Sequence, residues 1–188
     1  FVKNISSGLE EELIFSDEKV CVPNISLKQK DRDTDNIYVG YSSPKSPSKV
    51  YSYNLFDKSK KLMKEQEIPS GHNPDDYIVE RLECPSHDGR FIPITITRHK
   101  NTKIDGSSNL LLYGYGSYGS SMSPDFSSTK LSLVNRDIIW VTAHIRGGME
   151  RGMKWWKEGK LLNKKNTFKD YISVANFCIE KKYTSKKN

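Results

Sequence analysis

The stretch Leu110-Leu-Leu-Tyr-Gly-Tyr-Gly-Ser-Tyr-Gly119 organises the rest of the chain. Its first four residues, Leu110 to Tyr113, are apolar or aromatic and predict a short buried strand. The glycines that follow allow the backbone to turn sharply where another backbone or a ligand must come close. We therefore expect a functional site directly after this strand.

The same glycines also fit a nucleotide-binding pattern. Gly114, Gly116 and Gly119 match G-x-G-x-x-G, which follows a strand in dinucleotide-binding proteins. In those proteins the last glycine opens a helix whose N-terminus binds the pyrophosphate. Here the segment after Gly119 contains Pro124, which delays the start of any helix. Nucleotide binding therefore stays an alternative that only the glycine spacing supports.

Composition narrows the class of protein. The 188 residues carry a net charge of +7, but lysines are spread along the chain with acidic residues among them. This distribution predicts a solvated surface and no nucleic-acid interface. Only 35% of residues are hydrophobic and 28% are charged, which is polar for a globular protein of this size. We therefore expect part of the surface to contact something outside this sequence.

The cysteines and the hydropathy of the sequence indicate which kinds of structure to expect. Cys21, Cys84 and Cys178 are widely separated and form no C-x-x-C pair, which disfavours a disulfide framework or a zinc site. Three isolated cysteines suit the reducing cytoplasm. No run of about 18 apolar residues occurs, so no membrane span is predicted.

The first part of the chain predicts antiparallel strands. The runs 37–41, 50–55 and 61–63 are rich in β-forming residues and are separated by short turns. This spacing is typical of the meander in a propeller blade. Weaker strands are predicted at 13–15 and 20–22, and a charged loop at 28–35. Because 69–76 has the composition of a linker, we predict one domain at 1–72 and a second at 73–188.

The second part predicts an α/β arrangement. Strands at 77–84 and 91–98 form a hairpin through Asp88-Gly89, and buried strands follow at 110–113 and 138–142 with a helix at 127–135 between them. A last helix is predicted to start at Thr167, capped together with Asp170. Its buried face is predicted to carry Phe168, Ile172, Ala175 and Ile179. This order indicates the opening half of an α/β sheet.

Candidate catalytic groups are few. Each histidine could act as a general base, but no nucleophile stands at an informative distance, and a structural or exposed position is the simpler interpretation. The four are His72, His87, His99 and His144. No G-x-S-x-G nucleophile elbow occurs. If the protein is a hydrolase, its nucleophile is not in this sequence.

Several motifs in a fixed order point to one family. They are Tyr113–Gly119, His144–Gly152, Trp155–Lys160 and Lys165–Tyr171, with a looser match at Val39–Ser43. Together they resemble the prolyl oligopeptidase family, and within it the oligopeptidase B branch. The resemblance implies the C-terminal blades of a β-propeller followed by the N-terminal half of an α/β-hydrolase domain.

The resemblance also implies an activity. Members cleave short peptides by a Ser-Asp-His triad, and the oligopeptidase B branch cleaves after Lys or Arg without a cofactor. The serine would follow the helix that starts near Thr167, beyond this sequence. We therefore expect an internal fragment of such a peptidase that is inactive alone. Half of a split enzyme completed by a downstream chain and the product of a decaying gene are further possibilities. The alternative is a non-catalytic, β-rich peptide-binding module.

Four residues match functional positions of the family. Tyr115 matches the tyrosine whose hydroxyl helps to bind the oxyanion, although an aromatic ring packed in a tight turn is the alternative. Tyr118 and Trp155 match aromatics of the primary specificity pocket. Asp125 matches one member of an Asp-x-Asp pair that favours basic substrates, but Ser123 replaces the first member.

The second glycine loop raises further expectations. Arg146 and Glu150 match the family pattern, either as a charge pair that shapes the loop or as substrate contacts. Met149 stands where the family usually has glycine, and a positive φ there would be unfavourable. A hydrolase sheet without its later strands would also expose an edge, which predicts poor solubility.

Overall fold

The computed structural model describes residues 1–13, 16–25 and 34–188. The predicted strand at 13–15 and the charged loop at 28–35 lie largely outside these residues. The strands are β1 Val2–Lys3, β2 Glu10–Glu11, β3 Val22–Ile25, β4 Asn36–Ser42, β5 Lys49–Asn54, β6 Lys60–Glu65, β7 Tyr77–Pro85, β8 Phe91–His99, β9 Leu110–Tyr113 and β10 Ile139–Ala143. The helices are α1 Ser128–Val134, α2 Met153–Lys157 and α3 Lys165–Glu180, with 3₁₀ turns at Pro74–Asp76 and Leu161–Asn163.

The first large sheet is an antiparallel meander in the order β3-β4-β5-β6. The predicted strands at 37–41, 50–55 and 61–63 are therefore confirmed, and the strand predicted at 20–22 starts only at Val22. A small apolar cluster of Val39, Tyr41 and Tyr53 holds one face. The outer strand β6 is exposed along its whole length, so this sheet has a small core.

The second large sheet has the order β7-β8-β10-β9. Strands β7 and β8 form the predicted hairpin, and β10 pairs antiparallel with β8 and parallel with β9. The parallel pair is joined through α1, which Ser127 caps by accepting from the Lys130 N–H. The predicted sequence of strand, helix and strand is confirmed.

The main core lies between this sheet and α3. The alternation in β8 buries Ile92, Ile94 and Ile96 completely on one face. These side chains join a cluster that includes Val174 and Cys178 of α3. Packing against the helix therefore fixes where the loops after β9 and β10 emerge.

The prediction for α3 was wrong in its start and in its buried face. The helix begins at Lys165, and Thr167 lies inside its first turn instead of capping it. Phe168 and Ile172 are 61% and 58% exposed. The buried stripe consists of Thr167, Asp170, Val174 and Cys178. Hydrophobic spacing failed because two polar residues of this stripe find buried partners.

Strand β9 pairs on one side only within the described residues. On α3, the Tyr171 hydroxyl donates to the Leu112 carbonyl oxygen of β9 at 2.7 Å. Tyr113 at the end of the strand is 44% exposed. The structure thus presents the open edge on which the expectation of poor solubility was based, and that expectation stays a prediction.

The linker at 69–76 connects the two large sheets. His72 in this linker bonds through Nε2 to the Lys45 carbonyl at 2.6 Å, and its ring stacks on Tyr77 with centroids 5.1 Å apart. The Phe126 N–H donates to Ser42 Oγ at 2.9 Å. The predicted boundary between 1–72 and 73–188 stays a prediction, because sheets in contact can form one domain or two.

Candidate functional site

The site begins where β9 ends and the chain turns through three glycines. Gly116 and Gly119 have φ of +62° and +69°, which glycine adopts without strain. The Gly119 N–H donates to the Gly147 carbonyl oxygen at 2.9 Å, joining this loop to the loop after β10. Tyr115, which directly precedes Gly116, is 45% exposed. Its hydroxyl makes no hydrogen bond within the part of the chain that the structure describes.

Three glycines let three backbone segments touch beneath Tyr115. A Cβ atom on Gly116 would lie 2.6 Å from Thr167 Cγ2 and 2.8 Å from the Arg146 carbonyl oxygen. A Cβ atom on Gly147 would overlap the Gly116 carbonyl, and one on Gly159 would overlap the backbone of Arg146 and Gly147. The loops that carry the site are therefore held by backbone contact that any side chain would prevent.

Replacing Gly147 by alanine is expected to lower the free energy of unfolding by about 3 kcal/mol, because the residue combines a left-handed backbone with direct overlap. Its φ is +99° and its missing Cβ faces the Gly116 carbonyl. Gly71 is the matched control, with φ of +80° and nothing within 4 Å of its missing Cβ. Gly71→Ala should cost only about 1 kcal/mol of backbone strain. Equal losses for both variants in chemical denaturation would contradict the proposed backbone contact.

Thr167 and Lys164 tie the loops to α3. The Thr167 hydroxyl donates to the Arg146 carbonyl oxygen at 2.7 Å and lies 3.2 Å from that of Gly159. Lys164 Nζ donates to the Gly116 carbonyl oxygen at 2.5 Å and to Ser117 Oγ at 2.7 Å. Burial lowers the pKa of Lys164. The start of α3 therefore fixes the Gly116 carbonyl and the Ser117 side chain.

A cleft of about 460 Å³ opens beside this loop. Tyr118 stands at its rim, 89% exposed and with φ of +54°. A bulky residue in the left-handed region is uncommon and marks a strained turn of the kind found at binding sites. The cleft is lined by Ser117, Tyr118, Gly147, Trp156, Gly159, Lys160, Leu161 and Lys164. The structure thus places Tyr118 at the rim of a cleft, and its predicted role in the primary specificity pocket stays a prediction.

Trp155 does not line this cleft, and its predicted place in the primary specificity pocket stays a prediction. Its ring is 5% exposed, and its Nε1–H donates to the His144 carbonyl oxygen at 3.0 Å. The guanidinium carbons of Arg146 and Arg151 lie 5.8 and 5.7 Å from the ring centroid. Because α2 turns Trp155 into the core, the neighbouring Trp156 faces the cleft instead.

Asp125 lies apart from the cleft on the loop before α1. Its side chain is 55% exposed, and its Oδ1 atom lies 3.8 Å from Lys130 Nζ. An ion pair of this length and exposure contributes little to stability. Asp125 is therefore accessible to a ligand, but it is not among the residues that line the cleft with Tyr118.

Arg146 shapes the second glycine loop from inside the core. It is 1% exposed and donates from Nε to Asp170 Oδ2 at 2.8 Å and from Nη1 to Asp88 Oδ2 at 2.6 Å. Burial acts to lower the pKa of Arg146, but its hydrogen bonds with Asp170 and Asp88 raise it overall. The bond from Arg146 likewise lowers the pKa of Asp88. Of the two expected roles, the geometry supports the structural one.

Glu150 and His144 form a second buried pair. The Met122 N–H donates to Glu150 Oε1 at 2.9 Å, and His144 Nδ1 lies 3.6 Å from the same oxygen. Burial lowers the pKa of His144. Burial acts to raise the pKa of Glu150, but His144 and Met122 lower it overall. Met149 is not among the residues with positive φ, so the loop accommodates it without the expected strain.

Sequence reasoning missed the residues that build the cleft. The sequence pattern assigns no ligand role to Trp156, Lys160 or Lys164, and it predicts a capping role for Thr167. One signal in the sequence could have identified these residues. They lie close in sequence to Gly159, and a glycine that packs against another glycine loop brings the residues around it to the same place. The remaining histidines, His72, His87 and His99, lie outside the cleft lining.

The described residues hold neither a cluster of metal ligands nor a helix suited to crossing a membrane. No cluster of three or more His, Cys, Asp or Glu side chains that could hold a metal ion occurs in residues 1–13, 16–25 and 34–188. Over the same ranges, no helix combines the length and apolar character needed to cross a membrane. All three cysteines are free, and Cys84 and Cys178 are buried.

Comparison with known proteins identifies relatives over most of the chain. Residues 124–188 match the prolyl oligopeptidase family. The chain is 40% identical over 154 residues to dipeptidyl aminopeptidase BI of Pseudoxanthomonas mexicana, covering 81% of this chain and 21% of that protein. It is 33% identical over 159 residues to protease 2 of Moraxella lacunata, covering 85% of this chain and 23% of that protein.

Solved structures give the same result. Oligopeptidase B from Leishmania major superposes with a TM-score of 0.84 at 32% identity, covering 95% of this chain and 25% of that one. Oligopeptidase B from Trypanosoma brucei with covalently bound antipain gives a TM-score of 0.85 at 33% identity, with the same coverage. The predicted resemblance is confirmed, and the chain spans about a quarter or less of the length of these relatives.

Proposed function

Since residues 124–188 of this chain belong to the prolyl oligopeptidase family, we propose that the chain supplies the oxyanion-binding part of a serine peptidase that cleaves short peptides after Lys or Arg. The observation that carries this proposal is Tyr115. Its hydroxyl is accessible and has no hydrogen-bond partner within the described residues, while the backbone next to it is fixed by α3.

This arrangement suits the stabilisation of a developing negative charge. A tetrahedral intermediate of peptide hydrolysis carries an oxyanion, and a donor held in place before the reaction stabilises that charge without reorganising. The phenolic O–H of Tyr115 can supply such a donor. One donor of this kind contributes about 3 kcal/mol to the transition state.

The attacking serine has to come from outside this sequence. The sequence holds no G-x-S-x-G elbow, and the relatives are four to five times longer than the segment they share with this chain. In the complete enzyme that we propose, residues 1–72 form the last blades of a β-propeller, and residues 73–188 form the first half of an α/β-hydrolase domain. The four-stranded meander and the parallel pair β9 and β10 support this division. The free cysteines support a cytoplasmic location.

Selection of basic peptides involves Asp125 in this proposal. Asp125 is the only acidic residue in the loop between Gly119 and α1, and its weak pair with Lys130 leaves the carboxylate free to accept from a basic side chain. Because Ser123 offers no charge, Asp125 acts alone there, and other acidic groups of the complete enzyme hold the residue before the scissile bond.

A second candidate function is peptide binding without catalysis. The open cleft beside Tyr118 favours it, because this chain alone already presents two aromatic side chains and two lysines around about 460 Å³. Two results together would favour this candidate. The isolated chain would bind peptides, and an enzyme reconstituted with this chain would not hydrolyse them.

The purified 188-residue chain is expected to show no hydrolysis of a fluorogenic Arg or Lys peptide, because no side chain in it can form the acyl intermediate through a nucleophile elbow. Release of the fluorophore measures hydrolysis, and a fluorophosphonate inhibitor provides the control for contaminating serine peptidases. Hydrolysis that copurifies with the chain and that the inhibitor abolishes would contradict the proposal.

A further inference from the structure

The cleft beside Tyr118 has an unbalanced charge. Two lysines line it, and no carboxylate does. Lys160 Nζ lies 3.5 Å from the centroid of the Trp156 ring. Lys164 Nζ donates to the Gly116 carbonyl and to Ser117 Oγ. Neither ammonium group forms an ion pair with the described residues, whereas several lysines elsewhere on the surface do so.

These two ammonium groups therefore lack a counter-charge in a partly enclosed space. Both lysine side chains are only half-buried, so each keeps contact with the cleft. Placing cations in such a position without an anion is unfavourable, and the burial that lowers the pKa of Lys164 reflects this cost. An anionic group in the cleft would restore the balance and would meet at least one free N–H of each ammonium group.

We propose that this cleft binds a carboxylate carried by the peptide, either an Asp or Glu side chain or the C-terminal carboxylate. This inference rests on the proposed function. The rings of Tyr118 and Trp156 offer apolar surface for the peptide beside its carboxylate, and the volume of about 460 Å³ is in the range of small-ligand sites.

The position of the cleft relative to Tyr115 supports a peptide as the carrier. Ser117 in the cleft wall follows Tyr115 by two residues, and two residues of extended chain span at most about 7 Å. A carboxylate held there would lie within a few residues of a carbonyl that Tyr115 contacts. The cleft would then act on a different part of the peptide from the Lys or Arg at the scissile bond.

Binding of four short peptides to the 188-residue chain tests this inference. All four carry an acetylated N-terminus: Ala-Glu-Ala amide, Ala-Gln-Ala amide, Ala-Lys-Ala amide, and Ala-Ala-Ala with a free C-terminal carboxylate. Isothermal titration should give at least one carboxylate peptide an affinity about fivefold above that of the Gln peptide, the size of one partly exposed ion pair. Tighter binding of the Glu peptide would identify a side-chain carboxylate as the ligand, and tighter binding of Ala-Ala-Ala would identify the C-terminal carboxylate.

Three matched variants locate the effect. Lys160→Gln should remove most of the preference, Lys160→Arg should keep it, and Lys157→Gln should leave it unchanged, because Lys157 lies on the exposed face of α2 and does not line the cleft. Circular dichroism confirms that each variant is folded. An equal loss of preference in Lys157→Gln would overturn the inference, because it would reveal an effect of net charge alone.

The remaining outcomes separate this inference from the proposed function. Equal affinities for all four peptides would overturn the carboxylate inference and leave a peptide-binding role in place. Binding of inorganic phosphate more tightly than either carboxylate peptide would also overturn it. Absence of binding by every peptide would overturn both the inference and the peptide contact on which it rests.

Discussion

Replacing Arg146 by alanine is expected to lower the free energy of unfolding by about 3–5 kcal/mol, because it removes one partner of a buried ion pair. Arg146 is 1% exposed and Asp170 is completely buried. After the substitution, Asp170 would keep only the Ser86 hydroxyl at 2.6 Å and the backbone N–H of residue 146 at 3.1 Å. A buried carboxylate with no cation is then left at the start of α3. Urea denaturation followed by circular dichroism measures the loss.

A surface pair provides the control for this prediction. Arg90 forms an ion pair with Glu158 at 2.8 Å, and its side chain is 48% exposed. Arg90→Ala should cost less than about 1 kcal/mol. The double variant Arg146→Met, Asp170→Leu should recover part of the stability, because apolar residues of similar volume can replace a buried pair. An Arg146→Ala variant as stable as Arg90→Ala would show that the network does not hold the loop.

Replacing Tyr115 by phenylalanine is expected to reduce kcat by about 100-fold in a completed enzyme, the usual effect of removing one oxyanion donor. The measurement uses a chimaera in which this chain replaces the matching quarter of oligopeptidase B from Leishmania major. Since the Tyr115 hydroxyl bonds to nothing in the described residues, its removal should leave the free energy of unfolding unchanged. KM should change far less than kcat, because the oxyanion forms only during the reaction.

Tyr113 is the matched control for this substitution. It precedes Tyr115 by two residues, is 44% exposed, and its ring lies 5.9 Å from that of Trp140. Tyr113→Phe removes a hydroxyl of the same kind from the same strand end and should leave kcat unchanged. A similar loss of kcat in both variants would indicate a general disturbance of the loop and would contradict a specific role for Tyr115.

Alternation and turn residues were enough to predict the strands. In β8, Ile92, Ile94 and Ile96 point to one face, and Asp88-Gly89 closes the hairpin with φ of +80° at the glycine. These signals are local, because a strand repeats every two residues and a tight turn needs a left-handed residue. The order of elements followed from them, and the glycine loops indicated where the site lies.

The wrong predictions concern residues whose surroundings come from distant parts of the chain. Asp170 faces inward because Arg146 and Ser86, 24 and 84 residues away in sequence, meet it in the core. Hydrophobic spacing therefore selected Phe168 and Ile172 as the buried face of α3, where the structure buries Thr167 and Asp170. For the same reason the sequence could not decide which of two adjacent tryptophans faces the cleft.

The chimaera described above tests whether this chain supplies the oxyanion donor of a serine peptidase. The measurement is kcat for a fluorogenic Arg peptide in the chimaera and in its Tyr115→Phe variant, both shown to be folded by a cooperative thermal melt. We expect fluorophosphonate-sensitive hydrolysis that falls by about 100-fold in the variant. A folded, active chimaera whose kcat is the same in Tyr115→Phe would contradict this role of Tyr115.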